Sequence, residues 1–283
     1  KPIDKNGFRG AVLLDHGLFV MSQSLRISKS GVVLRGSGVK ATVLRKTGYD
    51  RDALIYIEGK NNLIFRDTLA IQSDYIPVNS RELLLSSVSN LNEQDRIMIY
   101  RPSTTEWIKK IGCDHFGGGI TALGWKAGDV DLKWDRKINK INGNRIEIDV
   151  PLSMALNAAA ADSKIITYSW EGRISDVGIE NVVLESDYDK SNLKDEDHCW
   201  TGISIENGEN CWIRKVSFKH FAGSAVILHP TTSKITVEDC ISAKPVSELG
   251  GMRRVTFLTM GQLNLFQRCY AEEGIHDFAA GYA

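Results

Sequence analysis

Apolar and polar residues alternate along this chain in short frames that repeat. Ile213-Arg214-Lys215-Val216-Ser217-Phe218, Val237-Glu238-Asp239-Cys240-Ile241-Ser242 and Phe266-Gln267-Arg268-Cys269-Tyr270-Ala271 lie over one another, and Ile179-Glu180-Asn181-Val182-Val183-Leu184 fits the same frame. Each has an apolar residue, two polar residues and another apolar residue. The frames start at 179, 213, 237 and 266, so they are 34, 24 and 29 residues apart. Such self-similarity predicts stacked structural repeats. A second strand per repeat is read at Gly202-Ile203-Ser204-Ile205-Glu206, Ala225-Val226-Ile227-Leu228-His229 and Val255-Thr256-Phe257-Leu258. Turn residues divide the strands: Asn207-Gly208-Glu209-Asn210, Pro230-Thr231-Thr232-Ser233 and Gly261-Gln262. With no helical period, this describes a coil of β-structure and not a βαβ unit. One coil cannot bury its inner side chains alone. Stacking is expected to turn Val182, Val216, Cys240 and Cys269 inward as one ladder, with Ile213, Val237 and Phe266 as another.

Residues 1–72 read as the opening of the same coil. Gly10-Ala11-Val12 through Gly17-Leu18-Phe19, then Leu25-Arg26-Ile27 through Gly36-Ser37-Gly38, are short strands between glycine turns. Leu54-Ile55-Tyr56-Ile57 and Asn62-Leu63-Ile64-Phe65-Arg66-Asp67 follow at similar spacing. These segments resemble the pectate-lyase-like superfamily of right-handed parallel β-helices, and the resemblance covers residues 8–72 and 172–283. It implies an all-β fold that hosts lyases, hydrolases, epimerases and phage adhesins, so it speaks to fold more than to reaction.

Residues 73–171 break the repeat. Glu82-Leu83-Leu84-Leu85-Ser86, Arg96-Ile97-Met98-Ile99-Tyr100 and Arg145-Ile146-Glu147-Ile148-Asp149 suit antiparallel strands, and Asn142-Gly143-Asn144 is a hairpin turn signal. An inserted β-subdomain is expected here. Residues 172–283 return to the coil. No capping segment follows the last frame, so the coil is expected to continue beyond Ala283, and the remainder of the same protein becomes a candidate partner.

Charge and composition narrow the function. The chain has 283 residues, with 35 Lys plus Arg balancing 35 Asp plus Glu. Zero net charge argues against bulk nucleic-acid binding, which needs a basic surplus. No apolar run reaches a membrane span. A secreted or periplasmic protein is expected, its targeting segment removed ahead of Lys1. The five cysteines have no tight spacing and are read as free thiols, with Cys240 and Cys269 acting as small core residues.

The densest polar group lies between Lys219 and Asp277. In stacked coils, equivalent positions sit about 4.8 Å apart, so separate turns can build one groove. His220, His229, Glu248, Arg253, Arg254, His276 and Asp277 are the candidate catalytic residues, and Lys219, Glu272 and Glu273 candidate substrate contacts. The alternative is a set of solvated turns and ladder ion pairs. Trp107 and Trp125, in a loop with Cys113, His115, Gly117-Gly118-Gly119 and Trp134, suit a sugar platform or simply pack the loop down. Asp187, Asp189, Asp195 and Asp197 offer hard oxygen ligands of the kind Ca²⁺ takes in lyases of similar fold. The interspersed Lys190 and Lys194 suggest a solvated loop instead. Neither Gly36-Ser37-Gly38 nor Gly117-Gly118-Gly119 has the strand-glycine-helix context of a phosphate loop. No paired Cys or His suits zinc.

Two chemistries use such a groove. Removing the proton α to a uronate carboxylate needs cations on the carboxylate and a base, which arginines, Lys219 and the histidines supply. Hydrolysis needs two carboxylates about 5–9 Å apart, which Glu248, Glu272, Glu273 and Asp277 supply. The leading expectation is a polysaccharide lyase acting on an acidic glycan by β-elimination. The alternatives are a glycoside hydrolase and a non-catalytic, adhesin-like glycan-binding module.

Overall fold

The computed structural model describes residues 2–117, 123–251 and 253–281. The expectations resting on Gly118, Gly119 and Ala283 lie outside them. The chain divides into two compact units, Lys1–Asn62 with Gly172–Ala283, and Leu63–Glu171.

The first unit is a right-handed parallel β-helix. Its first long sheet, sheet 1, passes through Gly10–Leu13, Val32–Arg35, Gly178–Ser186, Trp212–Lys219, Thr236–Glu238 and Leu265–Gln267. The second, sheet 2, passes through Leu25–Ile27, Ile55–Glu58, Thr201–Glu206, Ser224–Leu228, Val255–Thr259 and His276–Ala280. The register is that of the repeated frame: Ile179 opposes Ile213, Val182 opposes Val216, and Val237 lies between Ile213 and Phe266. Val182, Val216 and Cys240 are buried. Cys269 and Phe266 are half-buried and packed against the same core. All five cysteines are free.

The frame's two polar positions have different jobs. The second points outward. The third is a left-handed kink, with φ of 55° at Asn181, 52° at Lys215, 54° at Asp239 and 51° at Arg268. The kink bends each sheet 1 strand at the same height, so both flanking apolar residues face the core. Asn and Asp visit this region readily, whereas Lys215 and Arg268 are held there at a cost of about 1–2 kcal/mol each. Outward at the second position, Glu180 is 1% exposed. Its carboxylate accepts from Arg35 Nε at 2.6 Å, Arg214 Nη2 at 2.7 Å and Trp212 Nε1 at 2.6 Å.

The second unit is built on a six-stranded antiparallel sheet ordered Ile64–Ala70, Lys164–Ser169, Arg96–Arg101, Leu132–Asn142, Arg145–Ile148 and Glu82–Leu84. Leu83, Ile97, Ile99, Ile138, Ile146, Ile148 and Ile165 form its core. Asn142 pairs with Arg145 across the hairpin, and Gly143 takes φ 55° at the turn. The strand Ile64–Ala70, read from sequence as part of the opening coils, instead pairs antiparallel with Lys164–Ser169. The unit therefore begins at Leu63 and not at residue 73. Alternation marks a strand but not its partner, which here lies about a hundred residues on. A short helix, Thr105–Lys110, carries Trp107. No helix among the described residues is long and apolar enough to cross a membrane.

Candidate functional site

The strongest concentration of polar side chains is built at one corner of the coil. Lys219 is followed by His220, Ala243 by Lys244 and Glu272 by Glu273, each pair at the end of a sheet 1 strand. The register pairs Lys219 with Ala243 and Ser242 with Ala271, which stacks His220, Lys244 and Glu273 in three successive coils. All three have left-handed backbones, with φ of 66°, 55° and 59°. The same conformation recurs at the purely structural kinks of sheet 1. Left-handedness is thus a property of the coil's corners and not a mark of function.

These three residues, with Tyr188, Leu193, Pro245, Val246 and Arg254, line a cleft of about 360 Å³. His220 is half-buried. Its Nδ1 lies 3.4 Å from Glu185 Oε1 but forms no hydrogen bond. Burial pushes its pKa below the ordinary histidine value of 6.5, against the opposing pull of Glu185 and with help from Lys190 and Lys219. The imidazole is therefore neutral at pH 7. The Tyr188 ring lies 5.1 Å from that of His220, and the Lys190 ammonium sits 3.5 Å over the other ring system, Tyr188.

Two loops form the cleft's walls, and several sequence-derived candidates fasten them. Arg253 grips the Glu196 carboxylate, with Nη2 at 3.0 Å from Oε2. Lys194 pairs with Glu248 at 3.2 Å. His198, buried, holds Nε2 3.0 Å from the Val246 carbonyl and Nδ1 2.8 Å from the Ser186 hydroxyl. Arg254 donates to Ser247 Oγ, to the Ser247 carbonyl at 2.8 Å and to the Glu273 carbonyl at 3.3 Å. Its charge lines the cleft, but its donors are turned to the loop and not outward.

The remaining candidates do not join this cleft. His229 lies at the far end of the sheet 2 strand that begins just after His220, roughly 17 Å along the chain direction by strand rise. His276 is exposed opposite Val255, and Asp277 accepts from the Thr256 hydroxyl at 3.4 Å. Glu272 accepts from the Tyr270 hydroxyl at 3.4 Å. Lys219 stands exposed between Glu185 and Ala243 on sheet 1. Trp107 and Trp125 belong to the second unit, where they stack at 6.2 Å.

The four aspartates read as calcium ligands do not gather. Asp187 faces Lys190 at 3.3 Å and Asp197 faces Arg51 at 3.3 Å. Asp189 caps Ser191, and Asp195 accepts the backbone N–H groups of Asp189 and Asp197. Their oxygens shape the loop that brings Tyr188 to the cleft. Among the described residues no group of three or more such side chains suits a metal ion, so the residues do not fit the expected cation.

A second concavity, about 320 Å³, lies on sheet 2 and is lined by Arg51, Tyr56, Glu58, Thr201, Ser204, Glu206 and His229 among others. Glu58 and Glu206 are register partners on adjacent strands. His229 Nε2 is 3.0 Å from Ser204 Oγ, and Arg26 pairs with Glu58 at 2.8 Å. The sequence places Glu206 and His229 at the ends of two second strands but missed Glu58. It also missed Tyr188 and Lys244 as cleft residues, although Lys244 was already legible as the successor of Lys219-His220 in the repeat.

No family model matches the sequence, and no curated protein matches it. Among solved structures, the tailspike gp61 of Pseudomonas phage phi297 superposes with a TM-score of 0.48 at 10% identity, covering 94% of this chain and 40% of that one. The Gp54 tailspike of Acinetobacter baumannii bacteriophage AP22, in complex with A. baumannii capsular saccharide, gives a TM-score of 0.38 at 9% identity, covering 93% and 53%. The tailspike gp49 of Pseudomonas phage LKA1 gives 0.35 at 12%, covering 89% and 49%. The chain spans about half or less of the length of these three tailspikes.

Proposed function

We propose that the protein acts on an acidic, uronate-containing polysaccharide, cleaving it by β-elimination in the cleft around His220. One observation carries this reading. A neutral, half-buried imidazole stands against a phenol in a cleft that also carries Lys244 and Arg254. β-Elimination needs those parts. Cations stabilise the charge that develops on the uronate carboxylate as the α-proton leaves. His220 is the base, with its pKa tuned below 6.5 so that it is free to accept at neutral pH. Tyr188 is the group to protonate the departing glycosidic oxygen. Arg254 acts mainly as a positioning residue, fixing the loop that presents Lys244.

The test is a panel of uronate polysaccharides assayed for ultraviolet-absorbing unsaturated ends and for reducing ends. Unsaturated product is expected, with kcat/KM falling on the acid side below pH 6.5 as His220 takes up a proton. His220→Ala is expected to lower kcat by about 10²–10⁴-fold. Reducing ends without absorbance would overturn elimination.

A second reading rests on Glu58 and Glu206. Register partners on parallel strands stand about 4.8 Å apart, close to the spacing of about 5–5.5 Å that retaining glycosidases use. If only reducing ends appear, and Glu206→Gln abolishes them while His220→Ala does not, hydrolysis at the sheet 2 groove replaces elimination. Retardation in a polysaccharide gel with neither product would leave a binding module.

A further inference from the structure

We propose that the concavity on sheet 2 is a second catalytic site, in which Ser204 and His229 remove short acyl esters, acetyl above all, from sugar hydroxyls. The chemistry of the pair stands by itself. Only the choice of a glycan as the alcohol rests on the proposed function.

Among the described residues the molecule joins a serine hydroxyl to a histidine ring twice, and the two contacts differ. Ser186 is 0% exposed and His198 1% exposed. The Ser186 hydroxyl meets Nδ1 at 2.8 Å and the Asp187 carbonyl at 2.9 Å, and His198 Nε2 lies 3.0 Å from the Val246 carbonyl. Those groups are spent on holding a loop. Ser204 and His229 meet at an open surface instead. Ser204 Oγ is 3.0 Å from His229 Nε2, and both side chains line the concavity of about 320 Å³. His229 is half-buried.

The register explains the pairing. Ser204 turns outward because Ile203 and Ile205 on either side of it are fully buried. One coil on, Leu228 is buried opposite Ile205, and the His229 N–H donates to the Ile205 carbonyl at 3.0 Å. His229 therefore stands beside Glu206. When the Ser204 hydroxyl donates to Nε2, Nδ1 carries the ring proton, and a carboxylate is the group that fixes that tautomer. Glu206 is placed to receive it, exposed and in the same lining. Nucleophile, base and orienting acid thus come from two adjacent strands. Arg51 lines the same concavity, steadied by the Trp200 ring at 5.0 Å and by Asp197 at 3.3 Å, and supplies positive charge for the oxyanion.

Ser204 Oγ attacks the ester carbonyl while His229 takes its proton. His229 returns that proton to the departing sugar oxygen, which leaves an acyl-serine. Water, giving a proton to His229, then attacks the acyl-serine, and Ser204 recovers the proton as the carboxylic acid departs. The net reaction is ester plus water to alcohol plus acid. The acyl group is short for a local reason. The register partner of Ser204 is Ile227, a half-buried apolar spot that covers a methyl group. The same lining carries Arg51, Glu58 and Glu206, on which a longer chain would lie unfavourably.

The experiment uses the whole chain with p-nitrophenyl acetate, p-nitrophenyl octanoate and chemically O-acetylated polygalacturonate. Nitrophenolate and acetate release are measured, and a fluorophosphonate probe followed by peptide mass spectrometry locates the nucleophile. Acetate is expected from both acetyl esters, with the octanoate ester cleaved about tenfold more slowly or worse and the probe on Ser204. Ser204→Ala and His229→Ala are each expected to lower kcat/KM for p-nitrophenyl acetate by about 10²–10⁴-fold, at the parent's melting temperature. Glu206→Gln is expected to lower it about tenfold. Should a variant fail to fold, the position of the probe decides. The inference is overturned if acetate release is no faster than without protein, if Ser204→Ala keeps the parent's rate, or if the probe leaves Ser204 unlabelled. Cleavage of p-nitrophenyl acetate with the acetylated glycan untouched overturns the sugar ester as substrate. Acetate, unsaturated ends and reducing ends are assayed separately, so failure here is distinguishable from failure of elimination or of glycoside hydrolysis.

Discussion

At Glu180, donors from the coils on both sides close on one buried carboxylate, and the balance of forces there can be worked out. Burial pushes the carboxyl's pKa up. The Trp212 and Arg35 hydrogen bonds and the Arg214 charge push it down, and together they win, so it lies below the ordinary 4.5. A depressed folded pKa means stability that is full above the unfolded value and lost as pH falls through the folded one. The parent is therefore expected to lose stability progressively below about pH 4.5. Glu180→Gln keeps the shape but leaves Arg35 and Arg214 facing each other without their shared charge. Both arginines are about half exposed, which softens the loss, so a cost of about 2–3 kcal/mol at pH 7 is expected, at or below the range for breaking a fully buried pair. Melting temperatures of both proteins from pH 7 to pH 3 check this. The gap should narrow as the solution is acidified, and a constant gap would show that the charge of Glu180 is not what holds the coils.

At the scale of the strand, the four repeated frames carried the fold because period and register coincide. An apolar residue, a polar one, a kink and another apolar residue specify both which side chains enter the core and where the strand bends. Ile213 is fully buried between Ile179 and Val237. Ile213→Ala is expected to cost about 3 kcal/mol, in the range for deleting a buried branched side chain. Chemical denaturation reads it directly. The same alternation failed at Ile64–Ala70, because a short alternating strand looks alike whether its neighbours run parallel or antiparallel. It failed too at Glu58. That residue meets Glu206 only because the chain between them leaves the coil and returns, and no spacing rule survives an excursion of that length. His220, Lys244 and Glu273 were legible as successive corner residues. Tyr188 was not, since its place depends on a loop folded by Asp189, Asp195 and His198, and the two carboxylates read from sequence as metal ligands.

For the whole chain, the point of insertion explains how the coil tolerates a second unit. Where the chain leaves and re-enters, Lys60 N–H donates to the Gly172 carbonyl at 2.8 Å and Gly172 N–H donates to Asn62 Oδ1 at 2.8 Å. The two ends are held together by the coil's own hydrogen bonds, so closing them with a short linker requires little chain. The two hydrophobic cores share no residue: one draws on residues 27–57 and 174–257, the other on residues 76–165. Loop-closure entropy changes only slowly with length, so removing a long excursion from a pre-formed junction alters stability by about a few kcal/mol at most. Replacing residues 64–170 with a short Gly-Ser linker is therefore expected to leave the coil folded. It should keep a β-rich circular dichroism spectrum, a single cooperative melt, and the product yield of the His220 cleft. A deletion variant that is unfolded under conditions where the parent is stable would mean that the coil draws stability from the inserted unit, and that the separate cores are not separate folding units.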